Sequence, residues 1–168
     1  MALIVEDGSV VPNADSYISV ADATTYFENH GDPQLWPNSH LDIKEGALRY
    51  ATTTIDGMFK WTGEVFSLTQ PLGWPRSDAT DNENRTIPTN AVPQRVRYAT
   101  CELALLHISK PLNENYDRGG DTKLEQVGPV RVEYFSGAAV EPYMPILTRI
   151  IGGLGTWRGA MTGDLDRA

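Results

Sequence analysis

The fold of this chain is decided by the stretch Pro93-Gln94-Arg95-Val96-Arg97-Tyr98-Ala99-Thr100-Cys101-Glu102-Leu103-Ala104-Leu105-Leu106-His107-Ile108. Apolar side chains recur in and just before it at helical spacing and form one stripe, made of Val92, Val96, Ala99, Leu103 and Leu106. From Ala99 onward the other faces are apolar too, so we predict a helix that is buried on most sides. Such a helix is expected to be the central helix of the domain or part of a subunit interface, and Ser109-Lys110-Pro111 ends it.

Two further helices are predicted before this stretch. Ser16 or Ser19 can cap the first, with Ser19 and Asp22 spaced as a capping box, and Gly31 ends it near residue 30. The second begins at the signal Ser39-x-x-Asp42 and keeps one apolar face, which is formed by Leu41, Leu48, Ile55 and Phe59. These patterns predict a mainly α fold, a small helical bundle with long proline-rich loops.

The loop Thr69-Gln70-Pro71-Leu72-Gly73-Trp74-Pro75-Arg76 connects the second and third helices. Its two prolines and its glycine exclude a regular helix or a central strand. A rigid loop that displays Trp74 and Arg76 packs either against its own core or against another subunit. Packing of the indole in its own core is the more common of these arrangements.

The chain changes character after the third helix. Two short alternating runs, 123–127 and 130–135, are joined by Gly128-Pro129 and predict a β-hairpin that packs on the helices or reaches a neighbouring molecule. A short helix follows from Pro145 to about Ile151, and the glycine-rich residues after it predict a flexible tail that orders on docking. We therefore divide one domain into a helical core (1–112), a loop and hairpin arm (113–144), and a C-terminal helix with a docking tail (145–168).

Composition and charge limit the class of protein. The 168 residues suffice for one domain with a real core, and the net charge of −8 lies entirely in residues 1–90, which hold 13 acidic and 5 basic residues. No apolar run is long enough to span a bilayer, and the N-terminus lacks the features of a signal peptide. No basic stripe for gripping nucleic acid is visible, and an acidic surface suits a conduit through which DNA slides without sticking.

The sequence shows no sign of catalysis or of a cofactor. The single cysteine, Cys101, can form neither an internal disulfide nor a zinc cluster and is expected to be an inert core thiol in a reducing cytoplasm. His30, His40 and His107 are isolated, so no metal site is predicted. The acidic residues of the 78–83 loop are interpreted as solvated surface groups. No catalytic signature and no phosphate-binding loop occurs, so we do not expect an enzyme.

Several motifs, in order, resemble a group of tailed-bacteriophage proteins that are labelled DnaT-like single-stranded-DNA-binding proteins. The resemblance covers residue 1 to about 150 and is carried by residues 1–8, Pro12-Asn13-Ala14-Asp15-Ser16-Tyr17, residues 70–76, residues 99–105, Arg118-Gly119-Gly120 and residues 127–134. The group is also similar in layout to phage head–tail connector adaptors. Such adaptors are small helical proteins that form a ring, typically of twelve copies, between the portal and the next neck or tail protein.

The adaptor resemblance implies a structural virion protein at the head–tail interface, assembled in the host cytoplasm. Its partners would be the portal protein, a downstream neck or tail-terminator protein and other copies of itself, with double-stranded DNA passing through the channel unbound and no membrane involved. It implies portal docking by the C-terminal residues Ile150, Ile151, Leu154, Trp157 and Arg158. It assigns subunit or next-ring contacts to Trp74, Arg76, Val130, Val132 and Tyr134.

The alternative hypothesis is a DnaT-like single-stranded-DNA-binding protein of phage replication. Such a protein needs aromatic side chains on which bases stack and basic residues that follow the phosphate backbone. The aromatic candidates are Trp61, Trp74, Tyr98 and Tyr134, and the neighbouring basic candidates are Lys60, Arg76, Arg97 and Arg131. The net charge of −8 and the absence of a basic cluster argue against this hypothesis at the level of the sequence.

Overall fold

A computed structural model describes residues 2–31, 34–110 and 144–158 in full, together with the backbone of residues 124–127 and 130–133. It contains five α-helices in these ranges: α1 (Val20–Asn29), α2 (Leu35–Asn38), α3 (Leu41–Met58), α4 (Gln94–Ser109) and α5 (Pro145–Ile151). The prediction is confirmed only at the coarse level of a small mixed or mainly helical fold. Among the described residues, no helix is long and apolar enough to cross a membrane.

The helix ends follow the capping signals only in part. Ser19 caps α1 as predicted, because its Oγ accepts a hydrogen bond from Asp22 N at 3.0 Å and donates one to the Asp22 carboxylate at 2.7 Å. The N-cap of α3 is His40, one residue after the predicted Ser39, and its side chain makes no capping bond. Pro93 lies at the N-cap of α4. The short helix α2 was not predicted, because it has only four residues.

The helix α4 is the central helix of the core, as its sequence predicts. It packs against α1, α2, α3 and α5, and its fully buried side chains include Val96 and Leu103. They lie in one cluster with Leu48 and Ile55 of α3. Leu106 is 37% exposed, so the apolar stripe of α4 leaves the core near the helix end.

Three antiparallel strand pairs complete the described structure. Strand β1 (Phe59–Trp61) pairs with β6 (Gly155–Trp157), and β2 (Glu64–Val65) pairs with β3 (Arg76–Ser77). The predicted hairpin is confirmed as β4 (Leu124–Val127) paired with β5 (Val130–Glu133). Its projection as an arm stays a prediction, since residues 111–123 and 134–143 lie outside the described residues.

The prediction of a flexible tail after Gly152 is wrong for residues 152–157. Gly152–Leu154 form a 3-10 turn, which leads directly into β6. Leu154 is 1% exposed, and Trp157 packs edge-on against Phe59 with ring centroids 5.3 Å apart. Leu154 therefore belongs to the domain's own core, and Trp157 packs against that core. Residues 159–168, including Met161, lie outside the described residues.

Candidate functional site

The loop that carries Trp74 is fixed to the core by a buried carboxylate. Tyr17 Oη lies 2.7 Å from both carboxylate oxygens of Asp56 and donates its single proton to this carboxylate. Trp61 Nε1 donates to the same group at 2.9 Å and Gly73 N at 2.8 Å. The Trp74 amide in turn donates to Tyr17 Oη at 3.1 Å, and the Trp74–Pro75 peptide is cis. Four segments of the chain thus meet at Asp56, which makes this loop a structural part of the core.

Electrostatics at this carboxylate follow from its burial. Burial raises the pKa of Asp56 above its ordinary value, although the hydrogen bonds from Gly73, Tyr17 and Trp61 act in the opposite direction. Burial, and then the charge of Asp56, raise the pKa of Tyr17 well above its ordinary value. The Tyr17 hydroxyl therefore stays a hydrogen-bond donor over the physiological pH range.

Arg76 makes its hydrogen bonds within the same loop region. Its Nε donates to Thr62 O at 2.7 Å, its Nη1 to Gly73 O at 3.1 Å and its Nη2 to Gly63 O at 2.7 Å. The guanidinium thereby joins the two sides of the β2–β3 pair. Trp74 is fully buried and Trp61 is 7% exposed, so neither indole offers a face on which a base could stack.

An accessible aromatic cluster lies elsewhere, between α1 and the start of α4. The rings of Tyr26 and His30 are stacked, with centroids 4.1 Å apart and planes inclined by 22°. The Tyr98 ring lies 4.6 Å from Tyr26 and 5.6 Å from His30. Tyr26 is buried, Tyr98 is half-buried and His30 is exposed, so the cluster runs from the core to the solvent.

Neighbouring polar groups hold these rings in place. Tyr26 Oη donates to Glu102 Oε1 at 2.6 Å, and burial followed by this bond raises the pKa of Tyr26. His30 Nδ1 lies 2.7 Å from Tyr26 O, and Gln94 donates its side-chain amide to Tyr98 Oη. The rings are therefore positioned before any ligand arrives, which reduces the entropy lost on binding.

The cluster forms one wall of an open groove of about 190 Å³, whose lining residues are Ile18, Asp22, Thr25, Tyr26, Asn29, His30, Gln94, Arg97 and Tyr98. Arg97 is exposed, and within the described part of the chain it forms no ion pair. Asp22 is occupied by the capping bond from Ser19. The groove thus combines ring surface, an amide and an accessible guanidinium, which are the groups that contact bases and phosphates.

A second concave surface, of about 350 Å³, has a different chemistry. It is lined almost entirely by apolar side chains of α2, α4 and α5 and the residue before α5, with only Glu102 and Ser109 as polar members. Leu35 and Ile146 at this surface are 41% and 48% exposed. Such a lining can make apolar contacts, but it includes no basic side chain that could bind the phosphates of DNA.

The remaining sequence-predicted residues fall into three groups. Ile151 and Leu154 are buried, and Ile150 and Trp157 are half-buried, while Arg158 is exposed. For Val130 and Val132 only the backbone is described, and Tyr134 and Arg131's side chain lie outside the description. Cys101 is a buried free thiol whose pKa is raised by burial, so the expectation of a core cysteine is confirmed.

The potential metal ligands that the structure describes do not converge. No group of three His, Cys, Asp or Glu residues that could hold a metal ion occurs among the described residues. Asp81, one of the loop acids, is instead engaged by Arg85, whose Nε lies 2.8 Å from its carboxylate. Hydrogen bonds from Arg85 lower the pKa of Asp81.

Comparison with known proteins identifies the family. Residues 1–168 match the model of a family described as "Putative DnaT-like ssDNA binding protein". The chain belongs to this family. Searches of curated proteins and of solved structures each returned no match.

Membership of the DnaT-like family confirms one half of the sequence-based resemblance and overturns the other. The DnaT-like group was identified correctly from the motifs, whereas the head–tail connector role, with its portal, neck, ring and channel partners, is wrong. The burial of Ile151, Leu154 and Trp74 explains why their apolar character misled the interpretation: they fill this chain's own core. The alternative hypothesis of a DnaT-like single-stranded-DNA-binding protein agrees with the family description.

One functional candidate was missed at the level of the sequence. His30 was interpreted as an isolated histidine, although its spacing of four residues from Tyr26 puts it one turn further along, at the C-cap of α1 and on the side of Tyr26. This spacing is a signal that could have been used. The approach of Tyr98 was not predictable in the same way, because it depends on how α1 packs against α4.

Proposed function

We propose that this protein binds single-stranded DNA in the groove formed by Tyr26, His30 and Tyr98. One observation carries the proposal: a positioned ring cluster opens to solvent beside Arg97, an arginine with no ion-pair partner among the described residues. The family description supports the choice of ligand.

Stacking supplies the main attraction in this proposal. A base laid against the exposed edge of the cluster would contact His30 and the accessible part of Tyr98, while Arg97 donates to a phosphate oxygen. Stacking of a base on an aromatic side chain contributes about 1–3 kcal/mol. Duplex DNA keeps its bases stacked on one another, so we expect the groove to prefer single strands.

The charge of the groove indicates that short-range contacts, rather than long-range electrostatic attraction, would determine the affinity. The formal charges of Arg97 and Asp22 cancel, and the whole chain carries −8. Long-range electrostatic steering is therefore weak or repulsive, and affinity depends on groups that touch the DNA directly. We expect binding with little base preference, because every base has a face that can stack.

Fluorescence anisotropy with a labelled oligothymidylate tests the proposal. Tyr98→Ala removes one ring of the cluster and is expected to weaken binding by about 5- to 150-fold, which corresponds to about 1–3 kcal/mol. Tyr98→Phe keeps the ring, loses only the contact with Gln94, and serves as the matched control. Far-UV circular dichroism verifies that both variants fold.

Two results would overturn the proposal. One is a wild-type protein that does not bind the oligothymidylate at all. The other is a folded Tyr98→Ala variant that binds as tightly as Tyr98→Phe, because the ring would then make no contact with the DNA.

A further inference from the structure

We infer that the outer face of the β1–β6 ribbon, with Lys60, Thr156 and Arg158, is a second contact for the phosphate backbone of the bound strand. This inference rests on the proposed function, because it extends the path of the same DNA beyond the groove. A second contact would supply the positive charge that phosphate binding needs, since the groove itself has no net positive charge.

The ribbon is a basic surface on an acidic protein. The two strands and the residue after β6, 59–61 and 155–158, contain Lys60 and Arg158 and no aspartate or glutamate, although the chain as a whole carries −8. Lys60 and Arg158 are exposed and form no ion pair within the described part of the chain. Their charges are therefore not already neutralised by described side chains.

The strand register brings the donors to one face. Lys60 pairs with Thr156 and both are exposed, while Phe59 and Trp61 on the opposite face are buried in the core. Side chains alternate along a strand, so Arg158, two residues after Thr156, lies on the same outer side. The hydrogen bond from Arg158 N to Met58 O at 2.8 Å continues the pairing to that position.

The guanidinium on this face is already oriented. Arg158 Nε donates to Phe59 O at 3.1 Å, which holds the side chain against the ribbon. No described hydrogen bond uses its Nη1 or Nη2, and these are the donors that meet phosphate oxygens in a forked geometry. The Lys60 ammonium and the Thr156 hydroxyl add two more donors of the kind that contact a nucleic-acid backbone.

The start of α4 connects the groove with the ribbon. Tyr98 lines the groove, and Arg95 lies three residues before it on α4, so the two residues are neighbours on the helix surface. Arg95 Nη1 lies 2.6 Å from the position that a Cβ would take at Gly152, so its guanidinium covers the turn that leads into β6. A strand leaving the groove past Arg95 thus meets the approach to the ribbon.

The salt dependence of binding tests the inference. Each phosphate contact on a single strand contributes about 0.7 to the slope of log K against log salt concentration. Lys60→Gln combined with Arg158→Gln removes two contacts, so the slope should become shallower by about 1.4. The charge-preserving pair Lys60→Arg with Arg158→Lys is expected to keep the wild-type slope. Lys44→Gln, a charge change next to Trp36, should also keep it, since Lys44 lies over that ring rather than on the ribbon.

The outcomes separate the two proposals. A shallower slope in the double glutamine variant alone supports the ribbon contact. Wild-type slope and affinity in that variant, with Tyr98→Ala still weakening the binding, would overturn the ribbon contact and leave the groove intact. Absence of single-stranded DNA binding by the wild type would overturn both.

Discussion

Two fully buried tryptophans of this protein differ in one hydrogen bond, and we expect that difference to decide the cost of replacing them. Trp36 is 1% exposed and its Nε1 donates to Thr24 Oγ1 at 3.0 Å. Trp74 is 0% exposed, and its Nε1 meets no acceptor among the described residues. Substitution by phenylalanine removes the indole N–H in both cases and keeps an aromatic ring.

The magnitudes follow from the two environments. Trp36→Phe loses a hydrogen bond with a net contribution of about 0.5–1.5 kcal/mol, as well as the contact with Lys44, whose Nζ lies 5.6 Å from the ring centroid. Trp74→Phe removes a buried donor whose missing partner costs about 1–3 kcal/mol, which offsets part of the lost contact area. We therefore expect Trp36→Phe to lower the free energy of unfolding by about 2 kcal/mol more than Trp74→Phe does.

Urea unfolding followed by far-UV circular dichroism measures this difference without relying on tryptophan fluorescence. In thermal unfolding, about 2 kcal/mol corresponds to roughly 4–8 °C for a domain of this size. Trp74→Ala provides the reference for full loss of the side chain and should cost about 3–5 kcal/mol. Equal costs for the two phenylalanine variants, or a greater cost for Trp74→Phe, would refute the reasoning.

Three further predictions concern stability. Glu6→Gln should lower the free energy of unfolding, measured by urea denaturation, by about 1.5–3 kcal/mol, because the buried carboxylate accepts three backbone N–H bonds. Asp7→Asn, at an exposed neighbour, should lower it far less, and equal losses in the two variants would contradict the role of the Glu6 carboxylate. Gly63→Ala should strongly lower the melting temperature, since φ is +66° and a Cβ would overlap the backbone of residues 77–79. Gly46→Ala, in open space on α3, should raise it by stabilising the fold by about 0.5–1 kcal/mol. A Gly63→Ala variant that melts at a higher temperature than Gly46→Ala would contradict this reasoning. Burial raises the pKa of Asp56 above 3.8, so the folded protein keeps the Asp56 carboxyl protonated to a higher pH than the unfolded chain does. The stability of the wild type relative to Asp56→Asn should therefore fall as the pH rises from about 3.8 through the pKa of the folded state. Parallel stability–pH curves for the two proteins would show that this carboxyl does not titrate differently on folding.

The sequence was most informative where the determining interactions are local. The capping pair Ser19 and Asp22, the apolar stripe of α4 and the short alternating runs of the β4–β5 hairpin all act within a few residues, so their patterns predicted the corresponding structure. The resemblance to the DnaT-like group was identified for the same reason, since short motifs carry it.

Long-range pairing was not predictable from these patterns. Strands β1 and β6 have three residues each and lie on opposite sides of α4 in the sequence, so neither shows an alternation long enough to recognise. Whether an aromatic residue is buried is likewise a tertiary property. Trp61 and Trp74 therefore looked as suitable for stacking as Tyr98, and only the packing of the core separates them.

The pairing of β6 with β1 also has a consequence for synthesis of the protein on the ribosome. Phe59 and Trp61 leave the ribosome long before the strand that pairs with them, and long before Leu154, which packs into the same core. The helical part can begin to fold before then, yet its core stays open at this edge until residue 157 has left the exit tunnel. A product that terminates at Gly152 would expose two large aromatic side chains and an unpaired strand edge, which makes incomplete chains prone to aggregation and to degradation by proteases.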